Sequence, residues 1–182
     1  MQIVDWQQFL ENKLDLQGKF TSMTVGIFDG VHLGHQELIK CVISHNADYL
    51  PAVVTFRQGK TACKEIQNFE QRMSMFESSG IQLAIVIDFT ESFRQMPGIN
   101  FLELLLKHGS LGFFAVGADF RCGCNLDTNA AAIQNFFASR GITAGIVPEV
   151  MIDALPVSSS RIRAAIAADD IPLAEKMLGR AL

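Results

Sequence analysis

Two histidines three residues apart, His32 and His35, sit among three glycines in TVGIFDGVHLGHQELI, residues 24–39. Gly26, Gly30 and Gly34 let the backbone pass close to a bulky partner. The imidazoles add hydrogen-bond donors at the same place. A helix beginning near Gly34 adds unpaired N–H groups and the positive end of its dipole, a ready site for phosphate. The plainer alternative, a turn with two solvent-facing histidines, would make this ordered run of strand, glycine turn, histidine pair and helix start a coincidence.

A second group stands near the other end of the chain, in VSSSRIR, residues 157–163. Ser158, Ser159 and Ser160 can cap helix N–H groups or turn outward to an anion, and Arg161 and Arg163 supply charge-assisted donors. Alone, the segment is better read as a serine cap ahead of a solvated arginine face. Beside the first group its meaning changes, because two helix N-termini on one sheet edge can grip a triphosphate from both sides.

The elements that must position these groups follow from apolar periodicity. Strands are expected over residues 22–28, 52–56, 81–87, 113–116 and 142–147. Helices are expected over 34–45, 69–79, 100–108, 128–140, 159–168 and 172–178. Gly80, Gly109 and Gly141 stand just past the ends of three of them, and Pro172 opens the last. This alternation predicts an α/β fold, a Rossmann-like parallel sheet of about five strands with helices on both faces. Ligands of such sheets bind beyond the carboxyl ends of the strands, where strand order reverses, and the histidine motif follows the first strand of the alternation.

The 182 residues, 49% of them hydrophobic and 19% charged, suit a single domain with a real core. A net charge of −4 argues against generic affinity for nucleic acid or an anionic membrane. The longest apolar runs are strand-sized, and the first ten residues lack the apolar core of a signal peptide, so a cytoplasmic protein is expected. Its four cysteines, Cys41, Cys63, Cys122 and Cys124, fit a reducing compartment. Cys122 and Cys124 flank one glycine, but no second pair completes a zinc site, and small side chains in a loop is the reading adopted.

The two motifs resemble those of the H-x-G-H nucleotidyltransferase superfamily, the second being similar to its S-S-[ST]-x-I-R signature. The wording GIFDGVHLGHQELI most resembles the FMN adenylyltransferase module of bacterial FAD synthetases. VGADFRCGCN, residues 116–125, is similar to that family's V-G-x-[DN]-F-R-F-G-x loop, AEKMLGRAL, residues 174–182, resembles its A-x-x-x-L-G-R end, and residues 1–21 resemble its short lead-in.

The resemblance implies that His32 and His35 contact the ATP phosphates, and that Ser158, Ser159, Ser160 and Arg163 hold the phosphates that leave as pyrophosphate. It makes His32, His35 and Arg163 the catalytic set and adds Gly26, Phe28, Asp29, Gly30 and Gly34 to the ATP site. Gly117, Asp119 and Phe120 match the loop beside the nucleotide, with Asp119 a ligand of Mg²⁺. The implied reaction is attack of an FMN phosphate oxygen on the α-phosphorus of ATP, giving FAD and pyrophosphate. Two other functions stay open: a nucleotidyltransferase acting on another phosphorylated acceptor of the pantetheine- or glycerol-phosphate type, and a catalytically weak protein that binds nucleotide or flavin.

Three departures bear on that choice. The family's T-F-[DE]-P-H-P after the second strand reads here Thr55-Phe56-Arg57-Gln58-Gly59-Lys60, so an arginine replaces the acidic residue. Pro156 replaces a basic residue two places before the serine run, and Cys122 replaces the second phenylalanine of F-R-F-G. Bifunctional family members continue past L-G-R into a riboflavin kinase domain. Residues 1–182 are expected to form one nucleotidyltransferase domain without that kinase, as a single-activity protein or as part of a longer chain.

Overall fold

Apolar residues alternate sides along each strand, and a sheet buried on both faces is the result. The computed structural model describes residues 1–12, 14, 16, 18–45, 47–57 and 64–182. Gln58, Gly59, Lys60 and Cys63 therefore lie outside the described residues. The chain opens with β1 (Gln2–Asp5) and α1 (Trp6–Leu10), then β2 (Phe20–Val25), α2 (Leu33–Ile43), β3 (Tyr49–Phe56), α3 (Phe69–Ser79) and β4 (Leu83–Ile87). It continues through α4 (Glu91–Arg94), α5 (Gly98–His108), β5 (Leu111–Gly117), β6 (Arg121–Cys122), β7 (Thr128–Asn129), α6 (Ala130–Ala138) and β8 (Thr143–Val147). A small hairpin, β9 (Met151–Ile152) with β10 (Leu155–Pro156), precedes α7 (Ser159–Ala167) and α8 (Ile171–Leu178).

The main sheet has six parallel strands in the order β1-β4-β3-β2-β5-β8, one more than the periodicity predicts. The additional strand is β1, inside what reads as a lead-in. Its four residues pair with Leu83–Val86 of β4, too far along the chain for a local pattern to show. The segment expected as a helix over 128–140 begins with a two-residue strand, Thr128–Asn129, and its helix spans Ala130–Ala138 with Asn129 as cap.

Met23 and Val25 of β2, Ala52 and Val54 of β3, and Leu83, Ile85 and Ile87 of β4 face one core, with Phe101, Leu102, Ile133 and Phe137 from α5 and α6. Val53, Ala84, Phe113 and Ala115 face the other, with Leu38, Ile39, Val42, Met73 and Phe76 from α2 and α3. Successive strands run outward on one side of β2 through β3 and β4, and on the other through β5 and β8. Strand order thus reverses between β2 and β5, and the ends of those two strands are where a ligand site belongs.

One buried charge ties this region together. Arg72 of α3 is 1% exposed, and its guanidinium donates to the carbonyls of Ile27 (2.7 Å), Phe56 (3.1 Å) and Arg57 (3.0 Å). It joins the chain leaving β2 to the chain leaving β3. Arg72→Met would fill the space but strip those carbonyls of their donor, at a cost of about 3 kcal/mol or more in unfolding free energy. Urea denaturation checks this, and an unchanged midpoint would contradict the assignment.

Candidate active site

Beyond β2 the chain turns sharply to start α2. Phe28 (φ 57°), Gly30 (φ 82°) and Val31 (φ 37°) all take left-handed backbone. Glycine does so freely, whereas a β-branched valine resists, and each such non-glycine residue costs on the order of 1–3 kcal/mol. Phe28 and Val31 are fully buried, so packing holds them there. The Phe28 ring meets Phe76 edge-on at 5.4 Å and His35 at 5.1 Å.

His32 is the N-cap of α2, which begins at Leu33, one residue before the expected start at Gly34. Its Nδ1 accepts the backbone N–H of His35 at 3.4 Å. In the neutral ring the proton then sits on Nε2, the remaining donor. The His35 ring stacks on His32 with centroids 3.6 Å apart and planes at 18°. Gly34 makes the room, since a Cβ there would lie 3.3 Å from the His32 ring. Burial, then the charge of Arg180, push His32 down to about 4. Burial and the neighbouring His32 hold His35 well below the ordinary value. Both imidazoles are neutral at pH 7, donors rather than cations.

Asp29, 7% exposed, joins the two motifs. Its Oδ1 accepts the backbone N–H groups of Ile66 (2.9 Å) and Gln67 (3.3 Å), and its Oδ2 accepts from Arg163 Nη1 at 2.7 Å. The Ser159 hydroxyl donates to the Asp29 carbonyl at 2.8 Å. Ser158 caps α7 by accepting the Arg161 N–H at 3.2 Å, and Ser160 accepts from Arg163 Nη2 at 3.2 Å. The capping role and the cleft-lining role expected of the serines as alternatives therefore coexist. Arg161 turns away, and its Nη1 donates to the carbonyls of Ile152 and Leu155, bracing the β9–β10 hairpin.

These groups line one side of a cleft of about 710 Å³ at the carboxyl ends of β2, β5 and β8. His32, His35, Arg163, Gly26, Phe28, Asp29, Gly34, Gly117, Asp119, Phe120, Ser158, Ser159 and Ser160 all line it. Gly30 does not; it shapes the turn, and a Cβ there would come within 3.1 Å of Ile66. Arg57 is also outside, with Nε 3.0 Å from Asp88 Oδ1 and its guanidinium 5.2 Å over the Phe69 ring.

At the ends of β5 and β8, Asp119 and Glu149 line the cleft and make no hydrogen bond or ion pair among the described residues. The other end of the cleft is aromatic. Phe56, Phe89 and Phe93 meet at 5.3–5.8 Å, Phe93 meets Phe101 at 5.8 Å, and Arg94 lies 5.1 Å over Phe89.

With this geometry in place, similarity to known proteins is informative. The profile of the FAD synthetase family matches residues 16–161. The chain belongs to that family. It is 32% identical to the bifunctional riboflavin kinase/FMN adenylyltransferase of Haemophilus influenzae over 91% of its length, which is 56% of that protein. It is 26% identical to the protein of the same name from Escherichia coli over 86% of its length and 53% of that protein. It thus spans about half the length of the curated relatives it matches. A crystal structure of a protein described as a macrolide-efflux protein from Streptococcus pneumoniae superposes with a TM-score of 0.82 at 26% identity, covering 99% of this chain and 70% of that one.

Within this FAD synthetase fold, sequence reading did not single out Phe89, Phe93, Arg94 and Glu149. The first three sit on or beside α4, whose cap is visible in hindsight: Thr90 Oγ1 accepts the Phe93 N–H at 3.2 Å. No helix among the described residues is long and apolar enough to cross a membrane.

The lowered histidine has a consequence for stability. His32 takes up a proton in the unfolded chain near pH 6.5 but in the folded one only near 4, so its contribution is present above pH 6.5 and lost as pH falls between those values. The loss is on the order of 3 kcal/mol. Unfolding free energy measured from pH 7 to 4 should fall, and fall less steeply in His32→Gln; parallel curves would contradict the buried neutral ring. Arg161→Ala should lower the melting temperature by a few degrees, about what loss of ~1 kcal/mol gives, with the His32 titration unmoved.

Proposed function

We propose that this chain is an FMN adenylyltransferase, transferring AMP from ATP to FMN to give FAD and pyrophosphate. One observation carries the reading: a single cleft has two helix N-termini with histidine, serine and arginine donors at one end, and an aromatic wall at the other. A polyphosphate matches the first, and a flat ring such as isoalloxazine or adenine matches the second. Family membership and the names of the relatives support the same chemistry.

No protein nucleophile is needed. The FMN phosphate oxygen forms a bond to the α-phosphorus of ATP as the bond to the pyrophosphate oxygen breaks, and the departing charge stays on pyrophosphate. His32 and His35 donate to the nucleotide phosphates, the α2 N-terminus adds its dipole, and Arg163 with the α7 N-terminus takes the β- and γ-phosphates. Such transfers are accelerated mainly by positioning and by donors fixed in advance. Phe120, Gly117 and Gly26 shape the nucleotide's path.

A divalent ion fits this site on chemical grounds. Asp119, and Glu149 elsewhere on the cleft wall, offer carboxylate oxygens not engaged among the described residues, whereas Asp29 is fully used and Arg57 points outside. Mg²⁺ needs only one or two carboxylates beside phosphates and water, so Asp119 would hold it. When bound, Mg²⁺ would neutralise charge developing on the phosphates. The reading also carries a cytoplasmic setting and small-molecule substrates in place of nucleic acid.

The test is incubation with ATP, Mg²⁺ and FMN, with products separated by chromatography. FAD and pyrophosphate in equal amounts are expected; another nucleotide product formed only with a pantetheine- or glycerol-phosphate acceptor would replace the reading. Within that assay His32→Ala and His35→Ala should each cost on the order of 2–4 kcal/mol in transition-state stabilisation, about 10²–10³ in kcat. Arg163→Lys loses the planar fork that spans Asp29 and Ser160 and should raise the KM for ATP about tenfold. Arg57→Asp, outside the cleft, should change kcat less than about threefold.

A further inference from the structure

The chain's last described turn folds back onto the first motif. Arg180 Nη2 donates to the Gly30 carbonyl at 2.6 Å, and its Nη1 to the carbonyls of Val31 and Leu178, each at 3.3 Å. Gln36 Nε2 donates to the same two carbonyls, Val31 at 3.0 Å and Leu178 at 2.8 Å. Val31 and Leu178 thus each accept from both side chains, and the end of α8 is closed onto the start of α2. Gly179 (φ 69°) makes the approach possible, since a Cβ there would lie 2.6 Å from Leu33 Cδ2. Two of the carbonyls so gripped, those of Gly30 and Val31, belong to the left-handed residues directly before His32.

We propose that Arg180 is a positioning residue for the phosphate-binding turn: it fixes His32 by binding the two carbonyls that precede it and by holding a positive charge beside its ring. The effect on turnover rests on the adenylyl-transfer reading above; the effect on the ring does not. Any donor could brace the turn, but a cation also opposes a second positive charge at His32, adding to the burial that is the larger cause of the neutral ring. Among the described residues, the other charged or titratable groups to weigh are His35 stacked on that ring, and the Asp29–Arg163 pair, Glu65, Arg94, Asp119, Arg121 and Glu149 on the cleft wall. None of these changes when position 180 is altered, so a shift of the His32 titration reports on Arg180 itself.

The experiment titrates the His32 ring by NMR in the full chain, wild type, Arg180→Gln and Arg180→Lys, and measures kcat and the ATP KM of each. In Arg180→Gln the His32 midpoint should rise by about half a unit or more, and kcat should fall about tenfold or more. Arg180→Lys should keep the wild-type midpoint, with a rate between the two. An unmoved midpoint in Arg180→Gln overturns the proposal, whether or not the rate falls, because Arg180 is then at most a brace. If Arg180→Gln does not fold, Arg180→Lys decides: a wild-type midpoint with kcat lowered about threefold or more upholds the proposal, and a wild-type rate overturns it. Failure of the wild-type chain to form FAD would count against adenylyl transfer alone, since the titration needs no turnover.

Discussion

The carboxylate of Asp29 is the joint on which the cleft is built. The start of α2 and the start of α7 each carry the equivalent of about half a positive charge, and Arg163 adds a full one. Bringing all three to one place without a counter-charge would be repulsive. Asp29 supplies it from a nearly buried position, bonding Arg163 on one oxygen and two backbone N–H groups on the other, while its carbonyl takes the Ser159 hydroxyl. A helix that begins 130 residues later in the chain is thereby docked against the first motif. Truncating this side chain would leave Arg163 half-buried and unpaired, so docking and phosphate-end geometry cannot be separated.

The turn that carries Asp29 is held from behind by arginines of a different kind. Arg72 binds the Ile27 carbonyl from α3, and Arg180 binds those of Gly30 and Val31 from beyond α8. Left-handed backbone at Phe28 and Val31 persists because it is over-determined, by core packing below and by donors on the carbonyls at either end. Guanidinium suits this duty better than ammonium: its planar fork reaches two or three carbonyls at once and loses little further freedom in doing so. In each case a charge is used as a scaffold and pointed away from any ligand.

Much of this was legible in the sequence, for reasons that can be named. Phe69–Ser79 is legible to the residue because its apolar spacing and the Gly80 that ends it, at φ 98°, are local signals; the structure adds an Asn68 cap at its start. The histidine and serine motifs carried their own chemistry, and the sheet rule placed them at one edge. What escaped was either short or non-local. β1 is four residues with one buried side chain, and the Asp5–Gln8 capping box that opens α1 is a signal that could have been used. The resemblance assigns Arg163, not Arg161, to the phosphates, but the partners that orient the two arginines are not visible in the motif: Asp29 lies 134 residues from Arg163, and the Ile152 carbonyl that holds Arg161 lies 9 residues before it. The aromatic wall escaped because phenylalanines from β3, α4 and α5 share no periodicity until the sheet assembles them.

The same bookkeeping of charge explains how, under the adenylyl-transfer reading, a cleft for polyphosphate can hold so little free positive charge at its two helix N-termini, with Arg94 and Arg121 elsewhere on the wall. Arg163 is already paired, the histidines are neutral, and Arg57 is turned outward to Asp88. A cleft lined by unpaired arginines would bind pyrophosphate as tightly as ATP and release product slowly, because uniform attraction to phosphate stabilises substrate and product alike. Here the resting donors are mostly uncharged: helix N–H groups, imidazole Nε2–H and serine hydroxyls. Such donors gain strength where charge concentrates, on the oxygens of a departing pyrophosphate, and add less to the ground state. Under the adenylyl-transfer reading, the remaining neutralisation would arrive with the nucleotide's own divalent ion, for which Asp119 is the open carboxylate, and would leave with the product. On the same reading the Asp29–Arg163 pair keeps the empty site balanced between turnovers, and it is the partnering of charges within the protein, more than their number, that would suit this cleft to transferring a nucleotide instead of merely retaining one.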